Sequence, residues 1–211
     1  MIPRRALAGL LAGFLAGPVL AGRAGAQGAA QESDPAVALV RALYDGVRAA
    51  SGAGTGTVAA RLEALGDTFT RTFDYPAMLR LAYGGARWSK LPEPRQAALV
   101  QGFTRFFNAT YASRLSAATG SRFEVQPASE ARGEGRLVRS RVTDPGGNVT
   151  AVDYVVGKDG RVADVLLAGT VSEVGNLRTE FDTPIKAGGA DRLEAYLRQR
   201  VEGMLAAKPP A

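Results

Sequence analysis

The sequence has no cysteine and no histidine in its 211 residues. Without cysteine there are no disulfides, no thiol nucleophile and no thiolate metal site. Without histidine there is no imidazole general base, no Ser-His-Asp triad and no His-ligated haem. Other signatures are missing too. Two residues separate Gly169 from Ser172, so no Gly-x-Ser-x-Gly elbow forms. The glycine-rich stretches Gly52–Gly56 and Gly133–Gly135 match neither a phosphate loop nor a dinucleotide fingerprint. No metal-ligand spacing and no internal repeat is found, so no cofactor is expected. Carboxylate, Ser-Lys and Tyr chemistry survive these exclusions, as does any binding role. Stability must come from an apolar core, which a chain of this length with 46% apolar residues can build.

Long hydrophobic runs are also scarce. The best is Ala6–Ala21, 16 uncharged residues after Arg4 and Arg5, short of the roughly 20 that a spanning helix needs. With the small residues Ala24-Gly25-Ala26 after it, this reads as an export signal over residues 1–26, cleaved after about Ala26. Residues 27–33 are expected to be a flexible start and 207–211 a tail. The formal charge of +6 falls once Arg4, Arg5 and Arg23 leave: the remaining 185 residues carry 23 basic and 20 acidic side chains, a net of +3. That is too mild to argue for nucleic acid. The locally dense Arg132, Arg136, Arg139 and Arg141 read first as the solvent face of a strand.

What is present is periodic. Asp34-Pro35 reads as a cap and first turn, and Val37, Val40, Leu43, Tyr44 and Val47 make a helical stripe. A second helix follows through Val58, Leu62, Leu65 and Phe69. Asp74 caps a third with Met78, Leu81 and Ala82, ending at Gly84-Gly85. The longest helix carries Leu99, Val100, Phe103, Phe106, Phe107, Tyr111 and Leu115 on one stripe. After Gly120 the period becomes two: Phe123 and Val125; Val138, Ser140 and Val142; Thr150, Val152, Tyr154 and Val156; then Val162–Ala168. Helical spacing returns with Val174, Leu177 and Phe181, and Gly188-Gly189 separates a last helix with Leu193, Leu197 and Val201. The predicted class is α+β: an antiparallel sheet of about four strands covered by amphipathic helices.

Such a one-faced sheet under several helices is suited to enclose an apolar pocket. The aromatic stripe reads first as packed core, with the lining of that pocket as the alternative. Burying an acyl chain there would gain about 0.8 kcal/mol per methylene. Asp153 and Asp164, on consecutive strands, are the surviving carboxylate pair for a cavity enzyme. Ser172 reads as a helix cap.

Several short segments, taken together in their order, point further. They are Thr72-Phe73-Asp74-Tyr75-Pro76-Ala77-Met78, Arg87-Trp88 with Leu91-Pro92, Phe103, Phe106 and Tyr111-Ala112, Arg122-Phe123-Glu124-Val125, Val152-Asp153-Tyr154-Val155, and Asp164-Val165-Leu166-Leu167-Ala168-Gly169-Thr170-Val171-Ser172 with Arg178 and Phe181. In these the chain resembles the MlaC or toluene-tolerance family of periplasmic lipid-binding proteins, most closely the branch associated with hopanoid biosynthesis. The resemblance covers about Pro35 to Val201. It implies a lipid-binding domain over 34–206, without catalysis, that carries phospholipid or hopanoid between membranes. The implied partners are an inner-membrane ABC transporter with an MCE-domain protein and an outer-membrane lipoprotein complex. The positions matching the pocket-facing pattern are Met78, Leu81, Phe103, Phe106, Phe107, Tyr111, Val142, Val152, Tyr154, Leu166, Val171, Val174, Leu177 and Phe181. Arg87, Arg139 and Arg141 are the candidates for a head group or a partner. The tryptophan common after the glycine of the last hairpin is absent from Gly160-Arg161-Val162.

Overall fold

A computed structural model describes residues 34–52, 56–114 and 119–207. The expected export signal and flexible start, Leu115 of the aromatic stripe and residues 208–211 of the tail lie outside the described residues.

The first and third helices begin on the caps their sequence predicts, and the second on one not anticipated. Asp34 Oδ1 accepts from the Ala36 and Val37 amides at 3.0 and 3.4 Å to open α1 (Pro35–Gly52). Thr57 Oγ1 accepts from Ala60 N at 3.1 Å for α2 (Val58–Thr72). Asp74 Oδ1 accepts from Ala77 N at 3.0 Å for α3 (Tyr75–Tyr83). These bonds satisfy amides that a helix start otherwise leaves without partners. A single turn, α4 (Gly85–Trp88), leads to α5 (Glu93–Arg114). Helix α5 packs on α2, α3 and α6, and Phe103, Phe106, Phe107, Asn108 and Ala109 are all buried, so it is enclosed around much of its circumference.

Among the described residues the sheet has seven strands: β1 (Arg122–Val125), β2 (Glu130–Arg132), β3 (Gly135–Val138), β4 (Ser140–Thr143), β5 (Val149–Val156), β6 (Val162–Leu167) and β7 (Val171–Ser172). All strand pairs are antiparallel. Strands β4 and β3 run along one edge of β5, pairing with its first and second halves, while β1 and β2 flank them. On the other edge of β5 come β6 and then β7. The expected count of four is therefore corrected to seven, for three physical reasons. Strand β2 has no alternation to read, because all three residues are exposed and it is held by backbone pairing to β3 and the Glu130–Arg139 ion pair. Strand β7 is two residues long. The expected Val138–Val142 strand divides at Arg139, beside the point where the Asp153 carboxylate accepts from Ser140 N at 3.1 Å in place of a neighbouring carbonyl.

Helix α6 (Glu173–Ala206) begins at Ser172, whose Oγ accepts from Gly175 N at 2.8 Å. It bends at Gly188-Gly189, where Gly189 has φ +61°, a left-handed conformation that glycine adopts without strain. The two expected helices are thus present as two arms, separated where the backbone of Gly188 and Gly189 is non-helical. Helix α1 lies against β1 and β3, while α3 and α6 lie against β6. Between helices and sheet sits one core, to which the sheet contributes Val138, Tyr154, Val156, Val162 and Val165. No helix among the described residues is long and apolar enough to cross a membrane.

Candidate functional site

The helix–sheet interior is aromatic. Phe107 from α5 stacks on Tyr111 one turn later, with centroids 4.5 Å apart. Phe73, at the end of α2, meets Phe107 edge-on at 4.9 Å and Phe69 at 5.8 Å. Phe181 of α6 closes the other end against Phe106 at 5.8 Å and Phe103 at 6.2 Å. Edge-to-face and offset contacts of this kind contribute about 0.5–1.5 kcal/mol per pair beyond area burial. The i, i+3, i+4 and i+8 spacing of Phe103, Phe106, Phe107 and Tyr111 places all four toward these neighbours.

The fourteen side chains expected to line a cavity separate into groups. Met78, Phe103, Phe106, Phe107, Tyr154, Val174, Leu177 and Phe181 are buried members of the shared core. Tyr111, Val142 and Val152 are partly buried and pack against it. Leu166 is buried, but Asp153 faces Leu166 while Tyr154 faces Val165. Directly paired residues share a sheet face, so Leu166 lies on the face opposite Tyr154. Val165 and Leu167 take the helix-facing positions of β6, a one-residue slip that exchanges faces. Leu81 and Val171 are 51% and 47% exposed and do not face the interior. Leu81 falls on the outer side of α3, and Val171 belongs to the two-residue strand β7 at the sheet edge.

A polar thread crosses this apolar space, and periodicity did not reveal it. Tyr154 Oη donates to Tyr44 Oη at 3.1 Å, Tyr44 Oη lies 2.7 Å from Ser140 Oγ, and Ser140 Oγ donates to the Val152 carbonyl. The Ser140 proton is committed to Val152, so Tyr44 must donate to Ser140 and the chain has one direction. Burial raises the pKa of both tyrosines, which therefore stay protonated. The available signal was Ser140, a hydroxyl at an inward position between Val138 and Val142. Likewise Tyr75 Oη donates to Asn108 Oδ1 at 2.5 Å, and burial raises its pKa.

One hydroxyl is different. Tyr111 Oη is buried and has no hydrogen-bond partner among the described residues. Leaving such a group unpaired costs about 1–3 kcal/mol. Burial pushes its pKa up, the nearby Glu173 carboxylate pushes it further, and Arg114 opposes them. The Arg114 guanidinium carbon stands 5.4 Å from the Tyr111 ring centroid, and the same side chain pairs with Glu173 at 2.9 Å. Glu173 is 4% exposed, in the first turn of α6, where the helix dipole favours an anion. Arg114 is half-exposed. The end of α5 and the start of α6 therefore form a rim with polar groups beside the aromatic interior.

The remaining candidates are less free than the sequence suggested. Arg139 forks onto Glu130 at 2.6 and 3.0 Å and reaches Asp153 at 3.2 Å. Arg87 lies 3.5 Å from Asp182, and Arg141 is exposed opposite Glu124 on β1. Asp153 and Asp164 share one sheet face, because Val155 pairs with Asp164. Both carboxylates act as structural acceptors. Asp153 takes Ser140 N and Arg139, and Asp164 takes Val165 N at 2.8 Å, Val174 N at 3.0 Å and Ser172 Oγ at 2.6 Å. No metal-holding cluster occurs among the described residues. A cavity of about 630 Å³ opens beside α3 and α5 around Asp74, Arg80, Trp88 and Gln96. A groove of about 510 Å³ runs between α5 and the second arm of α6, by Gly102, Arg105, Arg198 and Leu205. Neither is lined by any of the fourteen.

Comparison with known proteins agrees with this architecture. The family model described as "MlaC protein" matches residues 38–199. No curated relative matches. Among solved structures, the chain is similar to the phospholipid-binding protein from Ralstonia solanacearum, solved in complex with a phospholipid. That match has a TM-score of 0.68 and 24% identity, and covers 80% of this chain and 98% of the other. At that identity the likeness shows the fold.

Proposed function

Because this chain belongs to the MlaC family, we propose that it is a non-catalytic carrier that binds phospholipid by its acyl chains between sheet and helices. The observation that carries this reading is the family match over 38–199, which spans all the elements enclosing the aromatic interior. The similar Ralstonia solanacearum fold, solved with a phospholipid, supports the choice of cargo. Buried apolar contact supplies affinity for the tails at about 0.8 kcal/mol per methylene. Phe103, Phe107, Tyr111, Val152, Tyr154 and Phe181 belong to the lining, and helices must separate from the sheet to admit a chain. Export through the signal at residues 1–26 would deliver the 34–206 domain to the periplasm. There it would pass phospholipid, or a hopanoid, between an inner-membrane ABC transporter with its MCE-domain protein and an outer-membrane lipoprotein complex. Arg87 and Arg141 are the arginines of the proposed set that a partner or head group reaches most directly.

The test is to purify the protein from a Gram-negative host, extract it and identify the bound lipid by mass spectrometry. Stoichiometric phospholipid or hopanoid supports a carrier. A protein that arrives empty and takes up neither from vesicles refutes it. A second reading, an exported adaptor with a packed core, is favoured by the near-zero exposure of Met78, Phe103, Phe107 and Phe181. Empty protein would select it. The cavity-enzyme reading has little support, because Asp153 and Asp164 are committed to structural hydrogen bonds.

A further inference from the structure

We infer that the Tyr111 hydroxyl is the acceptor-recognition point of the cargo site, donating a hydrogen bond to an acyl-ester carbonyl of a diacyl lipid. The inference rests on the carrier reading and adds to it a chemical criterion for cargo. Tyr111 Oη is a buried donor without a partner among the described residues. The other hydroxyls threading this interior are all committed. Tyr154 bonds Tyr44, Tyr44 bonds Ser140, and Tyr75 bonds Asn108. Buried polar groups are nearly always paired, and an exception requires a reason.

The surroundings determine what kind of partner fits. Tyr111 stacks on Phe107 and stands at 6.1–6.4 Å from Phe69 and Phe73, so its ring belongs to the apolar wall. Its outer side meets Arg114, which is paired with Glu173. Glu173 is almost fully buried and holds Arg114, the cation over the ring, at 2.9 Å, so that cation is already engaged and ill placed to hold a phosphate, whereas a neutral carbonyl oxygen needs no counter-charge. An acyl-ester carbonyl is the neutral acceptor found where a lipid's tails meet its polar part. A tail set against the Phe107 and Phe73 rings would bring that carbonyl to the boundary that Tyr111 marks. A wholly hydrocarbon cargo offers nothing to this donor, and a site built to hydrogen-bond rejects analogues that lack the acceptor.

The test is a competition in one sample. The purified protein is incubated with vesicles of equimolar palmitoyl-oleoyl phosphatidylglycerol and its dialkyl ether analogue of matched chains. The ratio of bound lipids is then read by native mass spectrometry. The ester lipid should be favoured about tenfold, and Tyr111→Phe should bring the ratio to about one while retaining the ring. The wild-type preference is informative without the variant, so poor folding of Tyr111→Phe does not remove the test. A wild-type ratio near one, or a preference that survives in Tyr111→Phe, overturns the inference while leaving the carrier intact. Wild type that binds neither lipid overturns the carrier reading itself.

Discussion

The hydroxyl chain Tyr154–Tyr44–Ser140–Val152 allows a prediction in which three similar deletions have unequal effects. Its direction is fixed by the last bond, from Ser140 Oγ to the Val152 carbonyl. Tyr154→Phe removes only the first donor, and Tyr44 still donates to Ser140, so the expected loss is about 1 kcal/mol. Tyr44→Phe leaves the Tyr154 proton with no acceptor in an apolar setting and should cost about 1–3 kcal/mol. Ser140→Ala strands the Tyr44 proton and also withdraws a donor from the Val152 carbonyl, for about 2–4 kcal/mol. The rings stay in place in both Phe variants, including the Tyr44–Phe123 stack at 4.6 Å, so packing changes little. Urea denaturation reads the series. With a slope of about 2 kcal/mol per molar, each 1 kcal/mol moves the midpoint by about 0.5 M. The order should be unchanged up to at least pH 9, since burial holds both phenols above their ordinary pKa of 10.0. A Tyr154→Phe loss equal to or larger than that of Ser140→Ala would refute the assigned direction.

Other outcomes follow from single features. A Cβ at Gly46 would come within 2.7 Å of Thr68 Oγ1 and Cγ2, so Gly46→Ala should destabilise by about 1–3 kcal/mol, with partial rescue by Thr68→Ala in a double-mutant cycle. Hydrogen bonds from Ser129 hold the Asp34 pKa at about 2, below its ordinary 3.8. The unfolded chain therefore binds this proton more readily, and the stabilisation is complete above about pH 4 and lost as pH falls through about 2. Asp34→Ala should remove that acid-range loss and cost about 1–2 kcal/mol at neutral pH, as seen in urea midpoints. Leu81→Ala and Val171→Ala should leave lipid content after extraction unchanged, because both side chains point outward. Reduced loading in either would contradict that placement.

The helices were legible because their stripes are long and their caps are local: Asp34, Asp74 and Ser172 each bond an amide within three residues. Short elements were not. One turn of α4 and the all-exposed β2 contain no period to detect. The face of β6 was ambiguous because Val165, Leu166 and Leu167 are consecutive apolar residues, and alternation cannot choose among them. At the site, the aromatic stripe was visible, but the polar chemistry was not. Tyr44 and Ser140 are 96 residues apart, and Arg114 and Glu173 are 59 apart. Nothing local in either segment announces its partner, and only the packing of α1 and α5 against sheet and α6 brings them together.

The bend at Gly188-Gly189 bears on how this sequence can vary. In an unbroken helix, one inserted residue rotates every later position by about 100° and moves an apolar stripe off its partner. Here the first arm of α6 presents Val174, Leu177 and Phe181, and the second presents Leu193 and Leu197. The left-handed backbone at Gly189 interrupts the screw between them. Length changes near the bend can then be absorbed without altering the phase of either arm. The two arms are thus free to diversify as separate modules, each answering to its own neighbours.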